Sequence, residues 1–161
     1  MRYVIKEKFF HIGEDSQITD ASGTVAFQVD GKIFSLHNQL TIRDPAGNEV
    51  ATVHRKLLAL TPTYEISRAG QQDTEIRKQM FTFFGDRYTV DVPGPDDLEV
   101  KGSLFEHEYT MTRGGQVVAT VSKQWMSLTA TYGIETAPGQ DDVLILATVL
   151  ALDLAEDQEQ H

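Results

Sequence analysis

VLILATVLALDLA, the run from Val143 to Ala155, decides the fold of this chain. Only Thr148 and Asp153 interrupt its apolar residues, and no face of a helix drawn through it is polar. A helix that is apolar all round has to be buried all round. Its thirteen residues, at about 1.5 Å each, reach roughly 20 Å, short of the roughly 30 Å hydrocarbon core of a bilayer. The burial site is therefore the protein itself. Asp141 or Asp142 supplies the N-cap, and Ala137-Pro138-Gly139 ends the strand before it. The sequence thus divides into one domain over residues 1–155, with strands across 1–140 and a central helix at about 141–155, and a polar tail at 156–161 that frays into solvent.

Upstream of residue 140 the chain alternates turn signals with β-rich runs. Turn chemistry occurs at Asp20-Ala21-Ser22-Gly23, Asp30-Gly31, Asp44-Pro45-Ala46-Gly47, Gly85-Asp86, Pro93-Gly94-Pro95 and Gly114-Gly115. Between these lie runs rich in Val, Ile, Thr, Tyr and Phe: 24–29, 40–44, 49–55, 63–67, 74–80, 87–92, 108–112, 117–123 and 129–134. At about 8–12 residues per strand, such a length supplies roughly a dozen strands. A barrel of about eight strands is filled by its own side chains, whereas one of about eleven encloses a helix. The expected architecture is therefore a mainly β, closed antiparallel barrel of about twelve strands around the hydrophobic C-terminal α-helix.

An internal repeat fits the same architecture. Gly47 to Ile66 (GNEVATVHRKLLALTPTYEI) aligns without gaps on Gly115 to Ile134 (GQVVATVSKQWMSLTATYGI), with ten identities. A pair of long repeats reads as two related halves of one barrel, not as a solenoid. A shorter echo links Asp20 to Gly23 with Asp44 to Gly47, each opening a strand.

Composition narrows the chemistry. At 161 residues the chain suits a single core. It has no cysteine, which excludes disulfides, thiolate metal sites and a cysteine nucleophile. MRYVIKEKFF lacks the apolar core of a signal peptide, and a cytoplasmic home is expected. A formal charge of −10 repels nucleic acid and anionic membranes at long range. An anionic partner therefore requires a local basic patch.

These features together resemble the LURP-one-related family, relatives of the tubby C-terminal domain and of phospholipid scramblases. The resemblance rests on YVIKEKFF near the N-terminus, V-A-T-V before a basic pair, Phe81, Phe84, Tyr88 and Val90 in F-x-x-F-x-x-x-Y-x-V, a second V-A-T-V-S-K, and the closing D-D-V-L-I-L-A-x-V-L-A-L-D. It covers almost the whole chain. It implies a barrel of about twelve strands around a hydrophobic helix. It also implies a binding role, because tubby-like domains hold phosphoinositide head groups through surface cations and scramblase-like members act at membranes. No lipid-binding motif aligns residue by residue, and the cysteine-rich segment and spanning helix of the scramblases are absent from this sequence.

The recurrent charged feature is basic. Arg55, Lys78 and Lys123 each lie two residues beyond an apolar strand residue (Val53, Ile76, Val121), hence on the same strand face, with Lys56 and Arg77 adjacent. Gathered at one mouth, Arg55, Lys56, Arg77, Lys78 and Lys123 would hold a phosphate or carboxylate by charge-assisted hydrogen bonds. Alternatively they neutralise Asp153, Glu156 and Asp157 at the end of the helix, or are solvated. His11, His37, His54 and His107 show no metal spacing, and Glu106-His107-Glu108 read as a strand points its carboxylates away from the imidazole. Asp96-Asp97 and Asp141-Asp142 read as turn and cap, outside any EF-hand spacing. There is no G-x-S-x-G elbow, G-x-G-x-x-G loop or Walker lysine, so neither a catalytic residue nor a cofactor is expected.

The expectation is a non-enzymatic binding or scaffold module. Its partner is an anionic phospholipid head group at the periphery of a membrane. One alternative is a protein bound through a sheet edge, a loop cluster or an aromatic such as Phe83, and a further one is scramblase-like lipid handling or an enzyme without a recognised motif, with no nucleic acid in any case.

Overall fold

The computed structural model describes residues 1–6, 16–33, 38–56, 60, 62–78, 86–92, 96–124 and 131–159. Its strands are β1 (Arg2–Lys6), β2 (Ser16–Asp20), β3 (Val25–Ile33), β4 (Asn38–Arg43), β5 (Glu49–Arg55), β6 (Thr63–Ser67), β7 (Thr74–Lys78), β8 (Asp86–Asp91), β9 (Leu98–Ser103), β10 (Glu108–Arg113), β11 (Gln116–Ser122) and β12 (Thr131–Thr136), followed by one helix, α1 (Asp142–Glu159). Each strand pairs antiparallel with its neighbour in sequence, and β1 closes the ring on β12 with Arg2 opposite Glu135 and Lys6 opposite Thr131. The expected barrel of twelve strands around a C-terminal helix is what the chain forms.

Three strands lie outside the runs read from composition. β1 (RYVIK) and β9 (LEVKGS) are short and carry charge, yet both alternate, with Leu98 and Val100 buried between exposed Glu99 and Lys101. β2 (SQITD) buries only Ile18, too little apolar signal for a strand. Asp30-Gly31 proves not to be a turn. Both sit inside β3, opposite Thr41 and Leu40, because the Asp30 carboxylate is engaged across the sheet by Arg43 Nε at 2.7 Å.

The two D-x-x-G turns close in the same way. Asp20 accepts the N–H groups of Ser22 and Thr24, Asp44 accepts that of Asn48, and each turn places its glycine at positive φ, Gly23 at 87° and Gly47 at 91°. An L side chain is strained in that region. The Ser22 hydroxyl and turn N–H groups hold Asp20 below the usual carboxylate range, and the Asn48 groups do the same for Asp44.

The repeated segments form β5–β6 and β11–β12, which stand on opposite sides of the ring. Matched positions share a fate: Ala51 and Ala119, Val53 and Val121, Tyr64 and Tyr132, and Ile66 and Ile134 are all buried.

The helix fills the lumen. Ile145, Leu146, Ala147, Val149, Leu150, Ala151, Leu152, Leu154 and Ala155 are at most 2% exposed, on every face. Each large side chain so enclosed stabilises by roughly 1.5–3 kcal/mol relative to an exposed one. Asp141 is the N-cap: its carboxylate accepts the Leu144 N–H at 3.2 Å and its carbonyl that of Ile145. Asp142, inside the first turn, accepts the Tyr3 hydroxyl at 2.6 Å, while Arg68 reaches Asp141 at 2.5 Å. Buried Thr148 donates its hydroxyl to the Leu144 carbonyl. The helix runs to Glu159, four residues past the expected limit, so most of the polar segment taken for a tail continues the last turns. Polarity at 156–159 does not stop helix formation, since Glu, Asp and Gln tolerate helical geometry.

Candidate functional site

Strand direction gives the barrel two unlike ends. All odd-numbered strands run one way, so their C-termini share one mouth, and the helix points its C-terminus at the same mouth: Asp153 meets Tyr132 at the start of β12 and His107 just beyond β9. Asp141 and Asp142 meet Arg68 and Tyr3 at the other end.

Arg55 ends β5, Lys56 follows it, Arg77 and Lys78 end β7, and Lys123 follows β11. All five therefore belong to the mouth at the helix C-terminus. Around the circumference they separate. β5 and β7 are divided only by β6, whereas β11 lies six strands from β5, on the opposite wall. Arg55, Lys56 and Arg77 are neighbours, with the backbone of Lys78; Lys123 is remote from them. The side chain of Lys78 lies outside the described residues.

The outer pair is already engaged. Lys56 Nζ stands 3.2 Å from Glu75 and 3.6 Å from Glu65, Arg77 bridges to Glu75, and His54 Nε2 lies 3.2 Å from Glu65. Strand register explains why: His54, Glu65, Glu75 and Asp91 form one row across β5 to β8. Carboxylates directly opposite one another repel, and Lys56 and Arg77 offset that repulsion. The hydrogen bond to Glu75 raises the Lys56 ammonium above its ordinary value, and Lys56 and Arg77 together lower Glu75. On the far wall Glu108 accepts the Ser122 hydroxyl at 2.8 Å and the Lys123 N–H at 3.0 Å.

A second constellation escaped the sequence reading. Residues 104–107 form a turn, not a strand, and His107 adopts φ 52° there. That conformation turns the imidazole onto Tyr132, stacked at 4.2 Å and 16°, with Nε2 3.3 Å from Asp153. Tyr132 donates its hydroxyl to the same carboxylate. Tyr109 completes the group: its hydroxyl is buried without a hydrogen-bond partner, and burial, then the charge of Asp153, push the phenol well above its ordinary value. The one clue in the sequence is Asp153 itself, since a carboxylate inside a buried helix must find donors. Which donors it finds is decided by residues 21 to 46 positions away in the chain.

This group ties the C-terminal part of the helix to the barrel wall. Among the described residues no cluster of three or more His, Asp and Glu could hold a metal ion. His11, His37, Phe83, Phe84, Trp125 and Met126 lie outside the described residues.

A closed ring of antiparallel strands plugged by an apolar helix, with Arg55, Lys56, Arg77, Lys78 and Lys123 at one mouth, defines a class of barrel scaffold. A profile of the LURP-one-related family matches residues 1–153, and the chain belongs to that family. "Uncharacterized protein YxjI" of Bacillus subtilis (strain 168) is 30% identical over 150 residues, covering 93% of this chain and 90% of the relative. "Protein LURP-one-related 14" of Arabidopsis thaliana is 20% identical over 170 residues, covering 95% and 83%. An X-ray structure of an Arabidopsis thaliana protein superposes with a TM-score of 0.69 at 20% identity, over 96% of this chain and 90% of that one, a likeness of fold.

Proposed function

We propose that the protein is a non-enzymatic binding module that recognises anionic head groups, such as phosphorylated lipids, with one end of its barrel. One observation carries the reading. Lys6, Lys32, Lys56, Lys78, Lys101 and Lys123, the lysines among the described residues, all fall in or just beyond the C-terminal half of an odd-numbered strand. Asp20, Asp44, Asp73, Asp96, Asp97 and Asp141 stand at the opposite end. In a chain of net charge −10 the lysine positions thereby gather at one end, where they steer an anionic surface into the productive orientation, whereas Arg2, Arg43, Arg68 and Arg113 stand towards the other end, engaged by Glu135, Asp30, Asp141 and the Asp96 carbonyl. A peripheral position on a cytoplasmic membrane face goes with this reading. No helix among the described residues is long and apolar enough to cross a membrane.

The test is vesicle sedimentation with and without a phosphoinositide at low ionic strength, where screening is weakest. Binding that rises with the phosphoinositide and falls with salt supports the reading. No rise at low salt overturns it. A non-enzymatic role goes with this reading, in which His107, Asp153 and Tyr132 engage one another between the helix and the barrel wall.

Recognition of a protein partner without lipid is the second reading, favoured by exposed Leu60 and Phe105 at the same mouth. Its sheet-edge route is closed, because every strand is paired on both sides. Loops remain as the contact surface. An association that survives neutralisation of Lys56 and Arg77 distinguishes it.

A further inference from the structure

The two ends of the barrel differ in apolarity as well as charge. Among the described residues the exposed large apolar side chains are Met1, Leu60, Phe105 and Val117. Leu60, in the β5–β6 connection, and Phe105, in the β9–β10 turn, rise from the lysine mouth at 106% and 67% exposure, four strands apart around its rim. Neither follows from strand alternation, because neither is in a strand. Composition alone separates the connections too. Those leaving even-numbered strands, from Ala21-Ser22-Gly23 to Ala137-Pro138-Gly139, carry no aromatic residue, whereas Phe105 follows odd-numbered β9.

Met1 and Val117 lie towards the other end, where Arg2 is paired with Glu135 and Asp20, Asp44, Asp73, Asp96, Asp97 and Asp141 accumulate. An anionic surface is repelled there. At the lysine mouth four acidic groups are engaged: Glu65 and Glu75 by Lys56, Arg77 and His54, Glu108 by Ser122, and Asp153 by Tyr132. Glu106 stands exposed beside Phe105, its N–H bonded to Ser103, and the last turns of α1 bring Glu156, Asp157 and Glu159 to the same end. Exposed apolar tips at the end that carries exposed Lys56, Lys101 and Lys123 suit the boundary between head groups and acyl chains, where the tips leave water and the ammonium groups stay among phosphates.

We infer that the lysine mouth docks on an anionic bilayer by seating Leu60 and Phe105 in its interfacial layer, with the barrel axis upright on the membrane. The inference rests on the head-group reading and adds a contact and an orientation to it. Recognition is then of a surface, because two apolar anchors apart on the rim cannot both be satisfied by one soluble phosphate.

The absence of cysteine makes the test clean. Leu60→Cys, Phe105→Cys and, at the other end, Val117→Cys are each labelled with an environment-sensitive fluorophore and mixed with phosphatidylcholine vesicles with or without phosphatidylserine and a phosphoinositide. The expected result is a blue shift at positions 60 and 105 with the anionic vesicles and none at 117. The double variant L60D/F105D, folded as judged by its thermal melt, should bind at least roughly tenfold more weakly. Binding to anionic vesicles with both labels still in water overturns the insertion and leaves the head-group reading intact. An equal shift at 117 overturns the orientation. No binding to any vesicle overturns both.

Discussion

Two tyrosines facing one carboxylate should respond in opposite directions to loss of their hydroxyls. Tyr132 donates to Asp153; Tyr109, beside it, buries a hydroxyl with no partner. A buried polar group left unsatisfied costs about 1–3 kcal/mol, while a hydrogen bond to a charged group contributes about 1.5–3 kcal/mol. Tyr109→Phe removes the unmet hydroxyl and keeps the ring, so it should stabilise by about 1 kcal/mol. Tyr132→Phe leaves Asp153 short of a donor in a site where Asp153 is only 11% exposed, and should destabilise by about 1.5–3 kcal/mol. In a domain of this length each kcal/mol moves Tm by roughly 2–4 °C, so the two melts should part by at least about 5 °C.

Alkali supplies an independent check on the same group. Tyr109 has a folded-state pKa raised above that of the unfolded chain, so its contribution is fully present below a pH of about 10 and is lost as pH rises beyond it, because only the unfolded chain ionises readily. Tyr109→Phe should therefore resist alkaline unfolding better than the parent. Tyr3, raised first by burial and then by Asp142, leaves a residual loss in the same range. Urea unfolding at neutral pH and a circular-dichroism titration above pH 9 measure both effects. A Tyr109→Phe protein less stable than the parent by more than about 0.5 kcal/mol would show that the hydroxyl is satisfied in solution, and the account of this cluster would fail.

Three further outcomes follow from the same packing. Leu150→Asp, at a position wholly enclosed by the ring, should leave no folded protein in the soluble fraction, since an unpaired carboxylate there costs several kcal/mol; normal expression would contradict the burial of α1. Asp141→Ala should destabilise by about 0.5–2 kcal/mol through loss of the N-cap, with little added by the exposed Arg68 pair, and Asp141→Asn should restore most of it in urea unfolding. Gly102→Ala should be far more damaging than Gly139→Ala, because its methyl would meet the Glu108 carbonyl oxygen at 2.4 Å and Tyr109 Cα at 2.7 Å, whereas the space at Gly139 is open; similar melting temperatures would refute the close approach of β9 and β10.

Much of the architecture was legible because it depends on local periodicity and on the length of one apolar segment. Val143 to Ala155 demanded enclosure, and a dozen short strands supply the enclosure of the right width. The sequence reading erred where polarity was taken for local punctuation. Asp30-Gly31 resembles a turn, yet a cross-strand arginine holds it in β3; Glu156 to Glu159 resembles a tail, yet the backbone remains helical.

The five basic residues show a sharper division. Their spacing from Val53, Ile76 and Val121 located them at strand ends, and strand direction carries those ends to one mouth. Their distances around the ring and their engagement with Glu65 and Glu75 depend on which strands are neighbours, which no local pattern encodes. The Asp153 group lies wholly on the tertiary side. By itself, the sequence determined that a buried helix required a closed sheet, because apolar surface must leave water whatever surrounds it. Only the closed fold decided which tyrosine and which histidine meet the carboxylate on that helix, because hydrogen bonds depend on direction and distance, and closure of the ring sets both.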